Sequence, residues 1–270
     1  MGSNISVQLE NVSLFRGNAV ILNQVSLLFR ASRTTVIVGP SGSGKSTLLK
    51  IAAGIILPDE GKAMVNGVDF REMNEAQNLE FRKSNGFIFQ DAALIANKSI
   101  YQNLSLPLNV HFRRMKEEEI KRRISQLLAR IGFVDNLDSR PDDLSAGECK
   151  MISFVRALVT DPSIIFMDNP TLSVDSRAAD SMVEIITELK RMGKTILLVT
   201  HEAPLIAKLA DDLVVMDEGR IIESGEFASV VKTTNKEVRT ILAKVLNEAA
   251  TYDGDILDLL EPGGIEKIFE

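Results

Sequence analysis

Residues Gly39 to Thr47 read GPSGSGKST and satisfy the spacing G-x-x-x-x-G-K-[ST]. Glycines at these positions let the main chain wrap closely round phosphate oxygens with its N–H groups pointing inward. Gly39, Pro40, Ser41, Gly42, Ser43, Gly44, Lys45, Ser46 and Thr47 are therefore candidate phosphate-binding residues. Lys45 is placed to reach the β- and γ-phosphates, and Ser46 to ligate Mg²⁺. A second stretch, IIFMDNPTLSVD from Ile164 to Asp175, reads as a buried strand that delivers the Asp168 carboxylate to its tip. The next residue is Asn169. Its amide is neutral and is not a base near neutral pH.

The elements around these residues give them the required context. TTVIV (Thr34 to Val38) is a short apolar strand of the kind buried in a parallel sheet, and KSTLLKIAAGII predicts a helix after the glycine-rich turn. That helix adds its positive N-terminal end to the phosphate cradle. SVQLENVSLF and VILNQVSLLF alternate polar and apolar residues about an RGN turn and predict paired strands. Between about residues 97 and 158 the pattern becomes all-α, with Ile120, Ile124, Leu127, Leu128 and Ile131 on one stripe. Strand and helix then alternate through SIIFM, SRAADSMVEIITELKRM, KTILLVT, APLIAKLA and DLVVMDEGRIIESG. This is the pattern of an α/β fold with a mainly parallel sheet covered by helices. EVRTILAKVLNEAA then predicts an amphipathic helix with Ile241, Leu242, Val245 and Leu246 apolar, followed by an acidic end. That end reads either as a frayed tail or as a docking element.

Composition narrows the function. The net charge of −6 offers no basic footprint for nucleic acid, and aromatics at 5% with no Trp argue against base stacking as the main activity. The single cysteine, Cys149, cannot form an internal disulfide, which fits the cytosol. The opening MGSNISVQLE has no apolar core region, and no apolar run approaches the roughly 18 residues a membrane span needs. Other chains would have to do any crossing.

Three further stretches carry a resemblance. DDLSAGECKMISFVRAL contains Leu144-Ser145-Ala146-Gly147-Glu148, similar to the L-S-G-G-Q signature of ABC-type ATPases. FIFQDAAL places Gln90 as the family's Gln loop does, and LLVTHEAP delivers His201 as its switch histidine is delivered. The order phosphate loop, Gln90, signature, Asp168, Asp175, His201 over residues 6 to 225 resembles an ABC transporter ATPase subunit. The resemblance implies a P-loop NTPase: a RecA-like mainly parallel sheet with an antiparallel β subdomain, plus an all-α signature subdomain. The expected division is 1–95 and 160–225 for the ATP-binding core, 96–159 for the signature subdomain and 226–270 for a C-terminal extension. It also implies ATP and Mg²⁺ as cofactors, Ser46, Gln90 and Asp168 around the metal, and His201, Asn169 and Asp175 around the attacking water. Ser145, Ala146, Gly147 and Glu148 would touch an ATP held by a second ATPase subunit, the same chain or a different one. A membrane permease would hold the pair on the cytoplasmic side of the inner membrane, where the ATPase is peripheral.

FQDAALIANKSIYQNLSLPL is further similar to the Mla-type ATPases that serve phospholipid transport with MCE proteins. That likeness implies lipid transport, an MCE-type lipid-binding protein and a small regulatory subunit in the complex. Lipoprotein release, cell division, amino-acid import and a regulatory ATP sensor are the alternatives, and a soluble ABC protein acting on ribosomes or DNA is the more distant one.

The chain also departs from the family. Ala146 stands where Gly is frequent, and Glu148 where Gln is frequent, with its carboxylate turned either toward or away from the phosphates. Arg16 takes the place of the adenine-stacking aromatic; its guanidinium either stacks on the base or lies idle. Asn169 replaces a glutamate, so slow hydrolysis with intact binding is expected. Three origins are open: pairing with a different ATPase chain that keeps its glutamate, a slow homodimer relying on His201 and Asp175, or a deliberate substitution to trap ATP.

Overall fold

The computed structural model describes residues 5–133 and 136–247. In chain order it holds β1 (Val7–Arg16), β2 (Ala19–Phe29), β3 (Thr34–Val38), α1 (Lys45–Ala52), β4 (Glu60–Val65), β5 (Val68–Asp69), α2 (Glu75–Ser84) and β6 (Asn85–Ile88). Helices α3 (Ile100–His111), α4 (Glu117–Arg130) and α5 (Ala146–Leu158) follow, then β7 (Ile164–Asp168), α6 (Ser176–Arg191) and β8 (Thr195–Val199). The chain closes with α7 (Ala203–Leu209), β9 (Asp212–Asp217), β10 (Arg220–Glu226), α8 (Phe227–Val231) and α9 (Lys236–Asn247). These elements form two compact units, one spanning Met73–Lys194 and the other 5–72 with 195–247.

The second unit carries two sheets. β2, β1, β4 and β5 pair antiparallel in that order, and β1 meets β2 through a turn at Gly17 as the alternation predicts. β3 runs parallel to both β8 and β9, with Val36 opposite Leu198 on one side and Leu213 on the other. β10 folds back antiparallel on β9. All five residues of β3 and all five of β8 are buried, which explains why neither alternates: a strand covered on both faces has no solvent face, and the threonines at their starts are buried too. An ion network closes the lower end of this sheet. The Asp212 carboxylate accepts from Arg30 and Arg33, and Arg33 Nε lies 2.8 Å from it. These bonds, with burial opposing them, hold the Arg33 guanidinium above its ordinary pKa. α9 presents Val238, Ile241, Leu242 and Val245 to the core, so the stripe predicted for it is buried. The side chain of Leu246 and residues 248–270 lie outside the described residues.

The first unit is helical around one strand pair. β6 runs parallel to β7 with Phe87 opposite Phe166, and their rings stack with centroids 6.0 Å apart. α4 buries Ile120, Ile124 and Leu128, with Ile131 just beyond its end; Leu127 is half-buried. α2 was not predicted, because only Phe81 of its ten residues is buried and there is no apolar stripe. Its start was nonetheless written in Asn74 and Gln77, which form a reciprocal capping box. Among the described residues no helix is long and apolar enough to cross a membrane.

Candidate functional site

The phosphate loop belongs to the second unit. Its glycines take backbone angles that ordinary residues avoid: φ is 154° at Gly39, 81° at Gly42 and 95° at Gly44. At Gly39 the need is steric as well, because a Cβ there would lie 2.2 Å from the carbonyl oxygen of Met216 on β9. Lys45 opens α1 and is only 6% exposed. Its ammonium donates to the carbonyls of Gly39 at 2.8 Å and Pro40 at 2.6 Å, and to Ser43 Oγ at 3.4 Å. The loop is thus closed on its own lysine, with the cation held at the centre of the turn. Ser46 and Thr47 follow in the first turn of α1, where helix N–H groups lack intrahelical acceptors. A triphosphate suits this cradle, since it brings anionic oxygens to an ammonium and to free amide donors. His201 lies just past β8 and is half-buried. Arg16 is exposed at the end of β1 and donates to the carbonyl of Phe15 at 3.2 Å.

The remaining predicted residues belong to the first unit. Asp168 ends β7 and is 2% exposed. Asn169 follows at φ 45°, a left-handed conformation that Asn tolerates better than most residues. Its Nδ2 donates to Asp168 Oδ1 at 3.2 Å, so its amide is turned onto the carboxylate. Asp175 is exposed and caps α6, accepting from the Ala178 N–H at 3.1 Å. Gln90 is exposed just beyond β6. Among the described residues no group of three or more His, Cys, Asp or Glu side chains gathers to hold a metal. A divalent ion here would need hydroxyl, amide and phosphate oxygens beside the one carboxylate, the ligand set that suits Mg²⁺.

The LSAGE turn carries two of the departures from the family pattern. Ala146 sits at the first position of α5 and has no positive φ, so its methyl group costs little. Gly147 is required: a Cβ would lie 2.7 Å from the Ser173 carbonyl oxygen. Ser145 and Glu148 form a reciprocal capping box. Glu148 Oε2 accepts from the Ser145 N–H at 2.7 Å and from its hydroxyl at 2.6 Å, and the Glu148 N–H donates back to Ser145 Oγ at 3.3 Å. The carboxylate is thus engaged by the Ser145 N–H and hydroxyl at the start of α5.

Two residues that the sequence reading missed are placed among these groups. Lys150 is 2% exposed, and its ammonium donates to the carbonyls of Phe89, Gln90 and Asp168 at 2.6, 3.1 and 3.2 Å. Burial lowers its pKa to about 8, against the pull of Asp168 and Asp91. Arg156 donates to the carbonyls of Ala93 at 2.9 Å and Ala92 at 3.1 Å, and burial lowers its pKa too. The available signal was two cations inside the mostly apolar run CKMISFVRAL. Cys149, between them and Glu148, has its thiol pushed up by burial and by the charges of Glu148 and Asp142.

A family model described as ABC transporter matches residues 22–172, more than half of the chain. The chain belongs to the ABC transporter family. It is 30% identical over 257 residues to a methionine import ATP-binding protein of Clostridium acetobutylicum, covering 95% of this chain and 80% of that one. It is 33% identical over 218 residues to a protein of the same description from Mannheimia succiniciproducens, of which it spans 63%. The chain therefore covers less than two thirds of that relative. A dimeric ATP-binding cassette bound to ADP and Pi superposes with a TM-score of 0.75 at 28% identity, over 82% of this chain and 98% of that one. The fold is the P-loop ABC ATPase fold expected from the sequence, and the chain is an ATP-binding domain of that ATPase class. The narrower expectation fares differently: these relatives are described as methionine import proteins, and none of them supports lipid transport or an MCE partner.

Proposed function

We propose that this chain is the ATP-binding subunit of a membrane importer, docked on permease subunits at the cytoplasmic face of the membrane. Amino-acid import is the favoured cargo class, because the similar chains are described as methionine importers. The observation that carries the reading is the phosphate loop, with Lys45 buried at its centre and glycine geometry at Gly39, Gly42 and Gly44. In the working complex two ATPase chains meet around two MgATP. Each triphosphate lies between the phosphate loop of one chain and Ser145 to Glu148 of the other. The β- and γ-phosphates would draw the Lys45 ammonium off the Gly39 and Pro40 carbonyls to which it now donates. As the family resemblance implies, Ser46, Asp168 and Gln90 would hold Mg²⁺, and His201 and Asp175 would serve the attacking water. The ion and nucleotide supply the scissile bond and its charge neutralisation; the chain supplies position.

Turnover at this chain's own site is slow, because the Asn169 amide cannot take a proton. General-base assistance is worth roughly 10²–10⁴ in rate. Either a partner chain with its own glutamate carries the fast step, or two copies of this chain turn over slowly. Phospholipid transport keeps one supporting feature, the stretch FQDAALIANKSIYQNLSLPL, and stands second.

The test is to isolate the chain with its permease from detergent-solubilised membranes and reconstitute the complex in vesicles. ATP-dependent amino-acid uptake that disappears in Lys45→Ala supports the proposal. ATP-dependent phospholipid transfer without amino-acid uptake would replace it with the lipid reading, and failure to recover a permease would refute both.

A further inference from the structure

Five main-chain carbonyls of the Met73–Lys194 unit converge on two cations of α5. Phe89, Gln90 and Asp168 offer theirs to Lys150; Ala92 and Ala93 offer theirs to Arg156. The held segment is an unusual one. Ala92 and Ala93 both have positive φ, 62° and 49°, which is unfavourable for two consecutive L-residues and persists only where surrounding groups fix it. The connection that follows is pinned as well: buried Asn103 accepts from the Ile95 N–H and donates to the carbonyls of Ile95, Lys98 and Ser99.

An ammonium has three N–H donors, and all three of Lys150 meet carbonyl oxygens. A buried apolar side chain would pack at lower electrostatic cost. What lysine adds is direction. It turns the carbonyl of Asp168, and hence the peptide leading into Asn169, toward α5, and it does the same for Gln90. One turn earlier the same helix begins with the Ser145–Glu148 box, the surface offered to the second nucleotide.

We propose that Lys150 is a positioning residue that sets the main chain at Gln90 and Asp168 from the signature helix, so that Mg²⁺ is held well only while this lysine grips both. The inference rests on the reading of the chain as an ATP-binding domain, and it assigns Lys150 no contact with nucleotide or metal. The phosphate contacts are assigned to residues 39–47 and not to Lys150, so ATP binding without metal is expected to change little when Lys150 is replaced. The signature helix, the Gln loop and the end of β7 then respond together when a second nucleotide arrives.

The test is a pair of titrations on the full chain: ATP affinity in EDTA, and the Mg²⁺ concentration that half-saturates the ATP complex. In Lys150→Met the EDTA affinity stays within about twofold of the parent, while the Mg²⁺ midpoint rises about tenfold, less than the combined worth of the three hydrogen bonds lost because only their effect on metal binding is read. Lys150→Arg, which keeps a buried donor, recovers most of that shift. Should Lys150→Met fail to fold, Lys150→Gln is read by the same two titrations. A lowered melting temperature with an unchanged Mg²⁺ midpoint would overturn the inference and leave Lys150 a structural pin. A parent chain that binds no ATP even in EDTA would instead sink the nucleotide-site reading, and the inference with it.

Discussion

The phosphate loop and the end of β7 reach their shapes by opposite means. The loop is local: residues 39–47 supply the glycines, the lysine and the carbonyls that the lysine holds. The end of β7 is assembled from a distance, with Asp168 and Gln90 gripped by Lys150 of α5 and the Ser145 turn closed against Ser173. The local motif supplies its own cation and acceptors, although Gly39 also lies close against the Met216 carbonyl. The assembled region depends on side chains whose partners are far away in sequence.

Substitutions can break this contrast at several strengths. Gly39→Ala is expected to be the most damaging, by about 3 kcal/mol of stability, because a methyl group would collide with the Met216 carbonyl at a positive φ. A melting-temperature comparison reads it directly. Lys45→Ala should leave the fold intact and weaken ATP binding by about 100-fold or more, since charge-assisted contacts to two phosphates are lost; fluorescent-nucleotide titration checks it. Asp175→Ala removes the cap of α6 and should cost about 1 kcal/mol of stability. If hydrolysis by the assembled complex falls no further than that loss of folded protein explains, Asp175 is a cap and not a catalytic group.

The smallest effect concerns pH. His111 ends α3, with its Nδ1 buried and without a hydrogen-bond partner among the described residues. Burial, then Lys83, lowers its pKa below the ordinary 6.5, against a smaller pull from Glu80. The unfolded chain therefore takes up this proton first as pH falls, so His111 contributes stability above about pH 6.5 that is lost below it. Denaturant midpoints at about pH 7.5 and about pH 5.5 should differ less in His111→Gln than in the parent. An equal difference would show that the imidazole is solvated in both states.

The same contrast explains what could be read from the sequence. The phosphate loop, the apolar strands β3, β7 and β8 and the order of motifs were legible because each is a contiguous pattern with a local cause. Asp168, Gln90 and His201 were placed at strand ends by the same apolar patterns, and β7, β6 and β8 do end at or just before them. The orientation of Glu148 was not legible, although Ser145 and Glu148 stand at capping-box spacing and the reciprocal bonds follow from it. Lys150 and Arg156 escaped because their meaning lies in carbonyls about sixty positions away. Cargo was the least legible feature of all: an ATPase subunit spends its residues on nucleotide and permease, and the Mla-like stretch led toward lipid where the relatives are described as methionine importers.

The central claim is that this chain binds MgATP well and hydrolyses it slowly because of one amide. The most direct measurement is the ATPase rate and ATP affinity of the assembled complex with Asn169 and with Asn169→Glu. The account predicts affinities within about twofold and a rate increase of roughly 10²–10⁴ on restoring the carboxylate. Equal rates at equal affinity would contradict it.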